Sequence, residues 1–181
     1  TVIITTGTFL NGQIHRGKER VDAGRVEEPS AKKLSLSLAN QSLKLGRMKT
    51  GTPARLDKRS IDWSQLGSQP GDVKPKKFSF WDSEILLPQV PCHIAYTNEN
   101  THQIIKNNLG KSALYGGEIT GIGPRYCPSI EDKIVKFADK NRHQVFMEPM
   151  GFAEDSIMIY PNGLSTSLPA DVQVEFMRSI T

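Results

Sequence analysis

An α/β fold with added hairpins is predicted by three observations. The chain opens on a β-branched run, T-V-I-I-T-T-G-T, that stops at Gly7, as a buried parallel strand does. Asn-Gly pairs at Asn11-Gly12 and Asn162-Gly163 mark tight turns. Several other segments carry apolar residues at helical spacing behind a capping residue.

In order, Thr1–Thr8 reads as the buried strand, and Asn11-Gly12 between apolar neighbours reads as a type I′ hairpin turn. Ala31, Leu34, Leu38 and Gln41 fall on one helical face, with Ser30 as N-cap and Gly46 as stop. The Thr6–Thr8 turn and Ser30 are expected on one rim of a parallel sheet. From Ser64 to Pro91 the chain is rich in Gly, Pro, Ser and Lys, with an apolar break at Ile85–Leu87, so loops and short edge strands are expected. H-I-A-Y-T-N-E-N-T-H-Q-I-I-K-N-N-L-G gives a strand, then an Asn/Thr-capped helix carrying Ile104, Ile105 and Leu109. The stretch from Lys133 to Pro149 reads as a strand pair around Asp139–Arg142, and a last helix is expected to start near Pro169.

The 181 residues suffice for one full domain or parts of two. Hydrophobic content of 37% and charged content of 23% predict a soluble chain with a core. No apolar run approaches the ~20 residues of a membrane helix. Thr1 already stands inside an apolar run, so an excised segment of a longer protein is expected. The net charge of +4 favours a polyanionic partner. Arg47, Lys49, Arg55, Lys58 and Arg59 cluster around one loop, and Lys74, Lys76 and Lys77 form a second patch. Solvated basic loops explain them equally well, but Arg47, Lys49, Arg55 and Arg59 are also placed to form a positive surface beside a cofactor cleft. Cys92 and Cys127 form no C-x-x-C, and the four histidines lack metal spacing, so two reduced thiols and no metal site are expected. The full G-x-G-x-x-G dinucleotide fingerprint is absent.

Chemistry concentrates in G-P-R-Y-C-P-S-I-E-D-K. Ser129 is an N-cap candidate and Asp132 its capping-box partner, which puts Cys127 just before a helix N-terminus. Arg125 and Lys133 add positive charge that would favour a thiolate. Glu131 and Asp132 would oppose it, or could carry protons. Against this stands the ordinary buried, inert cysteine. The same glycines and helix start could bind phosphate, with Arg125 and Lys133 as counter-charges, or could form a plain turn. Cys92, following Pro91 in an apolar strand, is expected to be the buried thiol.

T-T-G-T-F-L-N-G-Q-I-H-R-G, G-R-M-K-T-G-T-P-A-R-L-D-K-R-S-I-D-W-S, P-C-H-I-A-Y-T-N, G-P-R-Y-C-P-S-I-E-D-K and I-Y-P-N-G-L-S-T-S-L-P stand in one order along the chain. Together they resemble the central part of the MnmG (GidA) family, flavoproteins of tRNA uridine 5-carboxymethylaminomethyl modification, over essentially all 181 residues. The related folate-dependent tRNA methyltransferase flavoproteins lack the K-T-G-T-P and P-R-Y-C-P-S-I-E-D-K pair. The resemblance implies part of a Rossmann-type FAD-binding domain at residues 1–50 and again at 152–181, around an inserted α/β NADH-binding domain at 51–151. By the family's pattern Ser30 contacts FAD. The NAD-binding segment matches Gly123, Pro124, Arg125, Tyr126, Cys127, Pro128, Ser129, Ile130, Glu131, Asp132, Lys133, Ile134, Val135, Lys136 and Phe137. Cys127 matches the proposed nucleophile, with Arg125, Glu131, Asp132 and Lys133 around it. The implied reaction builds a carboxymethylaminomethyl or aminomethyl group on carbon 5 of the tRNA wobble uridine, with methylene-tetrahydrofolate as one-carbon donor. Implied partners are tRNA and an MnmE-type GTPase, in a homodimer that forms a heterotetramer with it. The implied place is the cytoplasm, or the mitochondrion in a eukaryote. Two rivals are a cofactor- or RNA-binding module with a structural Cys127, and an NAD(P)H-dependent flavin reductase.

Overall fold

A computed structural model describes residues 1–81, 84–85, 87–124, 127–151 and 157–180. Its centre is a five-stranded antiparallel sheet in the order β5-β9-β8-β7-β6. The strands are β5 (Leu56–Asp57), β6 (Gly67–Gln69), β7 (Cys92–Tyr96), β8 (Gln144–Pro149) and β9 (Met158–Asn162). Ala95 lies opposite Val145 and His93 opposite Met147, so the inward residues of neighbouring strands share a face. Pro161 lacks an N–H for a ladder, yet sits in a strand with a neighbour on each side. It is tolerated because β5 pairs only with Met158 and Ile159, leaving the chain beside Pro161 open on that side.

Three helices close one face: α2 (Glu99–Asn108), α3 (Ile130–Lys136) and α4 (Ala170–Arg178). Each starts where a local signal tells it to. Asn98 and Thr101 form a reciprocal capping box on α2, and Ser129 and Asp132 do the same on α3. Pro169 is the N-cap of α4. Ile130 and Ile134, and Val172 and Phe176, are one helical turn apart and meet Ile105, Val145, Ile159, Leu164 and Leu168 in a single core. Phe176 is fully buried, which stabilises the fold by about 2–3 kcal/mol.

The N-terminal part is built differently. β1 (Ile14–Arg16) pairs with β2 (Glu19–Val21), and β3 (Ala23–Arg25) with β4 (Glu28–Pro29), as two separate hairpins. α1 (Lys32–Asn40) follows and buries no residue. Several expectations are corrected here. Thr1–Thr5 takes no regular structure, and Val2 and Ile3 are exposed. A parallel strand needs a neighbour to receive its N–H and C=O groups, and no described strand lies beside it. Asn11-Gly12 ends a turn in which Gly12 N–H donates to Phe9 C=O at 3.1 Å, and Asn11 has φ +47°. The hairpins reverse instead after Arg16 and after Arg25. Ala31, not Ser30, is the N-cap of α1, with no side-chain cap bond, and the helix stops at Asn40, before Gly46. Residues 133–136 continue α3 rather than forming a strand, because the Ser129 cap had already started a helix. The pairing of Ser30's neighbourhood with the Thr6–Phe9 turn does occur, as Ala31 N–H donates to Phe9 C=O at 2.8 Å. It does so through an isolated parallel bridge between Leu10 and Ala31, not at the rim of a parallel sheet.

Candidate active site

Two loops far apart in sequence cross at the start of α3. Met48 bridges Ile122, and Lys49 N–H donates to Ile122 C=O at 3.2 Å. Gly121 and Gly123 stand at the crossing. A Cβ on Gly121 would sit 3.1 Å from the Arg47 carbonyl oxygen, a tight backbone contact that glycine avoids, whereas one on Gly123 would meet only the flexible end of the Lys49 side chain, 2.8 Å from its Cε. The Lys49 ammonium thereby comes within 3.6 Å of Asp132 Oδ2, with both side chains largely buried.

Asp132 is the hub of this crossing. Its Oδ2 accepts from the Ser129 N–H at 3.2 Å, while Ser129 Oγ accepts from the Asp132 N–H at 3.1 Å. Its Oδ1 accepts from Lys136 Nζ at 2.9 Å and from the Tyr115 hydroxyl at 3.3 Å. Burial alone would raise the Asp132 carboxyl. The bonds from Lys136 and Ser129 and the charges of Lys136 and Lys49 outweigh burial and hold it below its ordinary value. Tyr115 is pushed the other way, up to about 12, first by burial and then by the Asp132 charge. The phenol therefore stays a hydrogen-bond donor.

Glu131 turns inward. It is fully buried, and its Oε1 accepts from Ser112 Oγ at 2.9 Å, Ser167 N–H at 3.0 Å and Ser167 Oγ at 3.3 Å. Its Oε2 has no partner among the described residues. Ile130 N–H donates to Ser165 C=O at 2.8 Å. The Ser165–Ser167 stretch and Ser112 thus clamp the first turn of α3 from below. A cavity of about 20 Å³, water-sized, lies between this clamp and the crossing loop, lined by Lys49, Thr50, Gly51, Ser129, Thr166 and Ser167 among others.

Cys127 is half-buried, with its N–H donating to Pro124 C=O at 3.3 Å. Arg125 and Tyr126 lie outside the described residues. Lys133 does not join the thiol: its Nζ donates to Gly163 C=O at 2.9 Å, and burial lowers its pKa. Of the remaining Gly123–Phe137 stretch, Ile130 and Ile134 are core residues. Gly123, Pro124, Cys127 and Pro128 retain exposure on the loop, as do Val135, Lys136 and Phe137 at the far end of α3. The other thiol, Cys92, is half-buried rather than fully buried, and its pKa is raised by burial and by Glu148.

Arg47, Arg55 and Arg59 of the basic loop are exposed and have local partners. Arg47 donates to Asn11 C=O at 2.7 Å. Arg55 donates to Thr52 Oγ1 at 2.6 Å and stacks over Tyr160 at 4.6 Å. Arg59 pairs with Asp57 at 2.5 Å. Only Lys49 of the four reaches the α3 start. Sequence reading did not find Tyr115, Ser112, Ser167 or the Lys49–Asp132 pair. No spacing rule links residues that meet only through the crossing of loops. Among the described residues there is no His/Cys/Asp/Glu group fit for a metal and no helix long and apolar enough to cross a membrane.

Comparison with known proteins fits this picture. The family model described as glucose inhibited division protein A (GIDA) matches residues 1–181. The tRNA uridine 5-carboxymethylaminomethyl modification enzyme MnmG of Thermodesulfovibrio yellowstonii is 58% identical over 179 residues, which cover 99% of this chain and 28% of the relative. The enzyme of the same name from Aquifex aeolicus is 58% identical over 186 residues, covering 99% of this chain and 30% of the relative. The structure of Aquifex aeolicus GidA in its form I crystal superposes with a TM-score of 0.85 at 57% identity, over 98% of this chain and 30% of that one. The chain thus spans under a third of the length of these relatives, and its α/β fold is that of the matching GidA segment. On the full-length family match and these identities, the chain belongs to the glucose inhibited division protein A (GidA) family.

Proposed function

We propose that this chain is the central segment of a flavin-dependent enzyme that forms 5-carboxymethylaminomethyl or aminomethyl uridine at the tRNA wobble position. The observation that carries the reading is the crossing of the K-T-G-T-P loop over the G-I-G-P loop, which presents a half-buried Cys127 ahead of a doubly clamped helix. The name borne by relatives 58% identical supports it.

In this reading residues 1–50 belong to a Rossmann-type FAD domain and 51–151 form the NADH-binding insertion, whose sheet and core also take in β9 and α4 of the 152–181 return segment. Ser30 fits an FAD contact, because its Oγ is buried without a protein partner beside the Thr6–Phe9 turn. NADH would meet the loop residues Gly123, Pro124, Cys127 and Pro128, which retain exposure, rather than the core side of α3. Bound flavin, recharged by NADH, would supply or relay electrons. The chain's own residues do the rest. The Cys127 thiolate adds to uracil carbon 6, its Sγ–C6 bond forming as the C5=C6 π electrons move to an enolate spanning C5 and O4. Carbon 5 then bonds to the methylene carbon of methylene-tetrahydrofolate and loses its proton; tetrahydrofolate leaves from that carbon with a proton, an amine (glycine, or ammonium for the aminomethyl product) adds in its place, and the thiolate is expelled from carbon 6 to restore C5=C6. Asp132, already held by Ser129, Lys49, Lys136 and Tyr115, positions the loop. An MnmE-type GTPase, a homodimer and a cytoplasmic setting complete the proposal.

Nucleoside analysis of tRNA treated with the FAD-loaded full-length protein and its GTPase partner tests it. The expected result is a modified wobble uridine. Flavin reduction without any tRNA product would favour a flavin reductase instead.

A further inference from the structure

The arm between β6 and β7 sets exposed aromatic side chains among exposed lysines. Phe78, Phe80 and Trp81 are 104%, 107% and 83% exposed. Lys74, Lys76 and Lys77 are exposed in the same short stretch. A cleft of about 550 Å³ opens beside them, lined by Lys76, Lys77, Phe78, Ile85 and Gln89 among others. Asp72 and Glu84 also face this cleft.

We propose that the Lys74–Trp81 arm is a binding surface for single-stranded RNA, whose unpaired bases stack on Phe78, Phe80 and Trp81 while the phosphates follow the three lysines. The inference rests on the proposed RNA substrate and locates a contact for it. Interleaved aromatics and cations are what unpaired nucleic acid requires, since every base offers a π-face and every linkage a negative charge. A protein partner fits less well, because lysine is depleted where protein surfaces bury each other. Asp72 and Glu84 line the same cleft and repel phosphate, so the sugar–phosphate strand follows the lysines. Base N–H groups turned into the cleft meet those carboxylates as acceptors. A wobble uridine lies in an unpaired loop, which is the form of RNA this arm can stack.

The test uses the FAD-loaded full-length protein and a fluorescent anticodon stem-loop, with affinity read by anisotropy across a salt series. Phe80→Ala and Trp81→Ala are each expected to weaken binding about five- to a hundredfold without changing the salt slope. Lys76→Gln with Lys77→Gln is expected to flatten that slope by about 1.4. Trp81→Phe should restore most of the affinity, and melting temperatures should stay at the parent value. Unchanged affinity in the aromatic variants would overturn the proposal. So would an affinity loss accompanied by a lowered melting temperature, which would mean that the aromatics pack on other parts of the parent chain. So would equal losses with a fully paired duplex, or equal losses of binding to anionic vesicles. If the variants bind normally while the parent still forms its uridine product, only this inference fails. If the parent forms no product but the aromatic variants lose single-strand binding, only the enzymatic reading fails.

Discussion

The body on the five-stranded sheet and the stretch before it handle apolar side chains in opposite ways. In the body, Ile105, Ile130, Val145, Leu168 and Phe176 are fully buried against one another. In the N-terminal stretch, Val2 and Ile3 stand in solvent, and α1 exposes Leu34 and Leu36 while burying nothing. Both regions carry apolar periodicity in their sequences. The body's core residues pack on one another, whereas no residue of α1 is buried. The relatives are more than three times as long as this chain. An apolar pattern therefore announces that a face is made for burial, but only the rest of the chain decides where.

The sharpest way to break the comparison is a pair of truncations read by denaturant unfolding. Phe176→Ala should cost about 3–5 kcal/mol, because it removes a fully buried ring and leaves a cavity. Leu36→Ala should stay within about 0.5 kcal/mol, since its side chain is already in water. Comparable costs would mean that α1 is packed as firmly as α4.

Next in size is the clamp beneath α3. Glu131→Ala strands the Ser167 N–H in the interior and leaves the Ser112 hydroxyl only Ser167 Oγ to donate to, which should cost about 1–3 kcal/mol. Glu131→Gln keeps an acceptor at Oε1 and should recover most of that loss. If both variants unfold alike, the carboxylate's charge matters beyond its hydrogen bonds.

The smallest effect depends on pH. His102 and His143 stack 5.2 Å apart, and Thr97 Oγ1 contacts His102 Nε2 at 2.8 Å. Burial, with nearby Lys106 for His102 and with His102, Lys133 and Lys140 for His143, lowers both imidazoles from their ordinary 6.5. Below 6.5 the unfolded chain takes up protons that the folded chain refuses. Stability contributed by the pair is complete above that pH and falls as the pH drops through it. Unfolding at pH 7.5 and 5.5 should show this loss in the parent, and His143→Gln should reduce it. An identical loss in the variant would place the titration elsewhere.

The sequence made these regions legible to different depths. Helix starts at Asn98, Ser129 and Pro169 could be read because a cap is a signal between residues a few positions apart. The strand at Cys92–Tyr96 could be read for the same reason, from its own residue types. Thr1–Thr8 misled because a buried parallel strand is a statement about neighbours. Lys133–Phe137 misled because a short apolar run suits strand and helix alike until its start is fixed. At the candidate site the position of Cys127 before a capped helix was legible, and so was the Ser129–Asp132 pairing. The inward turn of Glu131 and the arrival of Lys49 at Asp132 were not, because the first is set by Ser112 and the Ser165–Ser167 stretch and the second by the loop crossing at Ile122, all distant in sequence.

The central claim is that this crossing exists to present Cys127 as a nucleophile to a tRNA uridine. The direct measurement is product formation by the full-length Cys127→Ser enzyme, correctly folded and loaded with FAD, beside a Cys92→Ser control. The account predicts that Cys127→Ser forms no modified wobble uridine while FAD content and melting temperature stay near the parent's, and that Cys92→Ser retains its activity. Near-normal turnover by Cys127→Ser would contradict it.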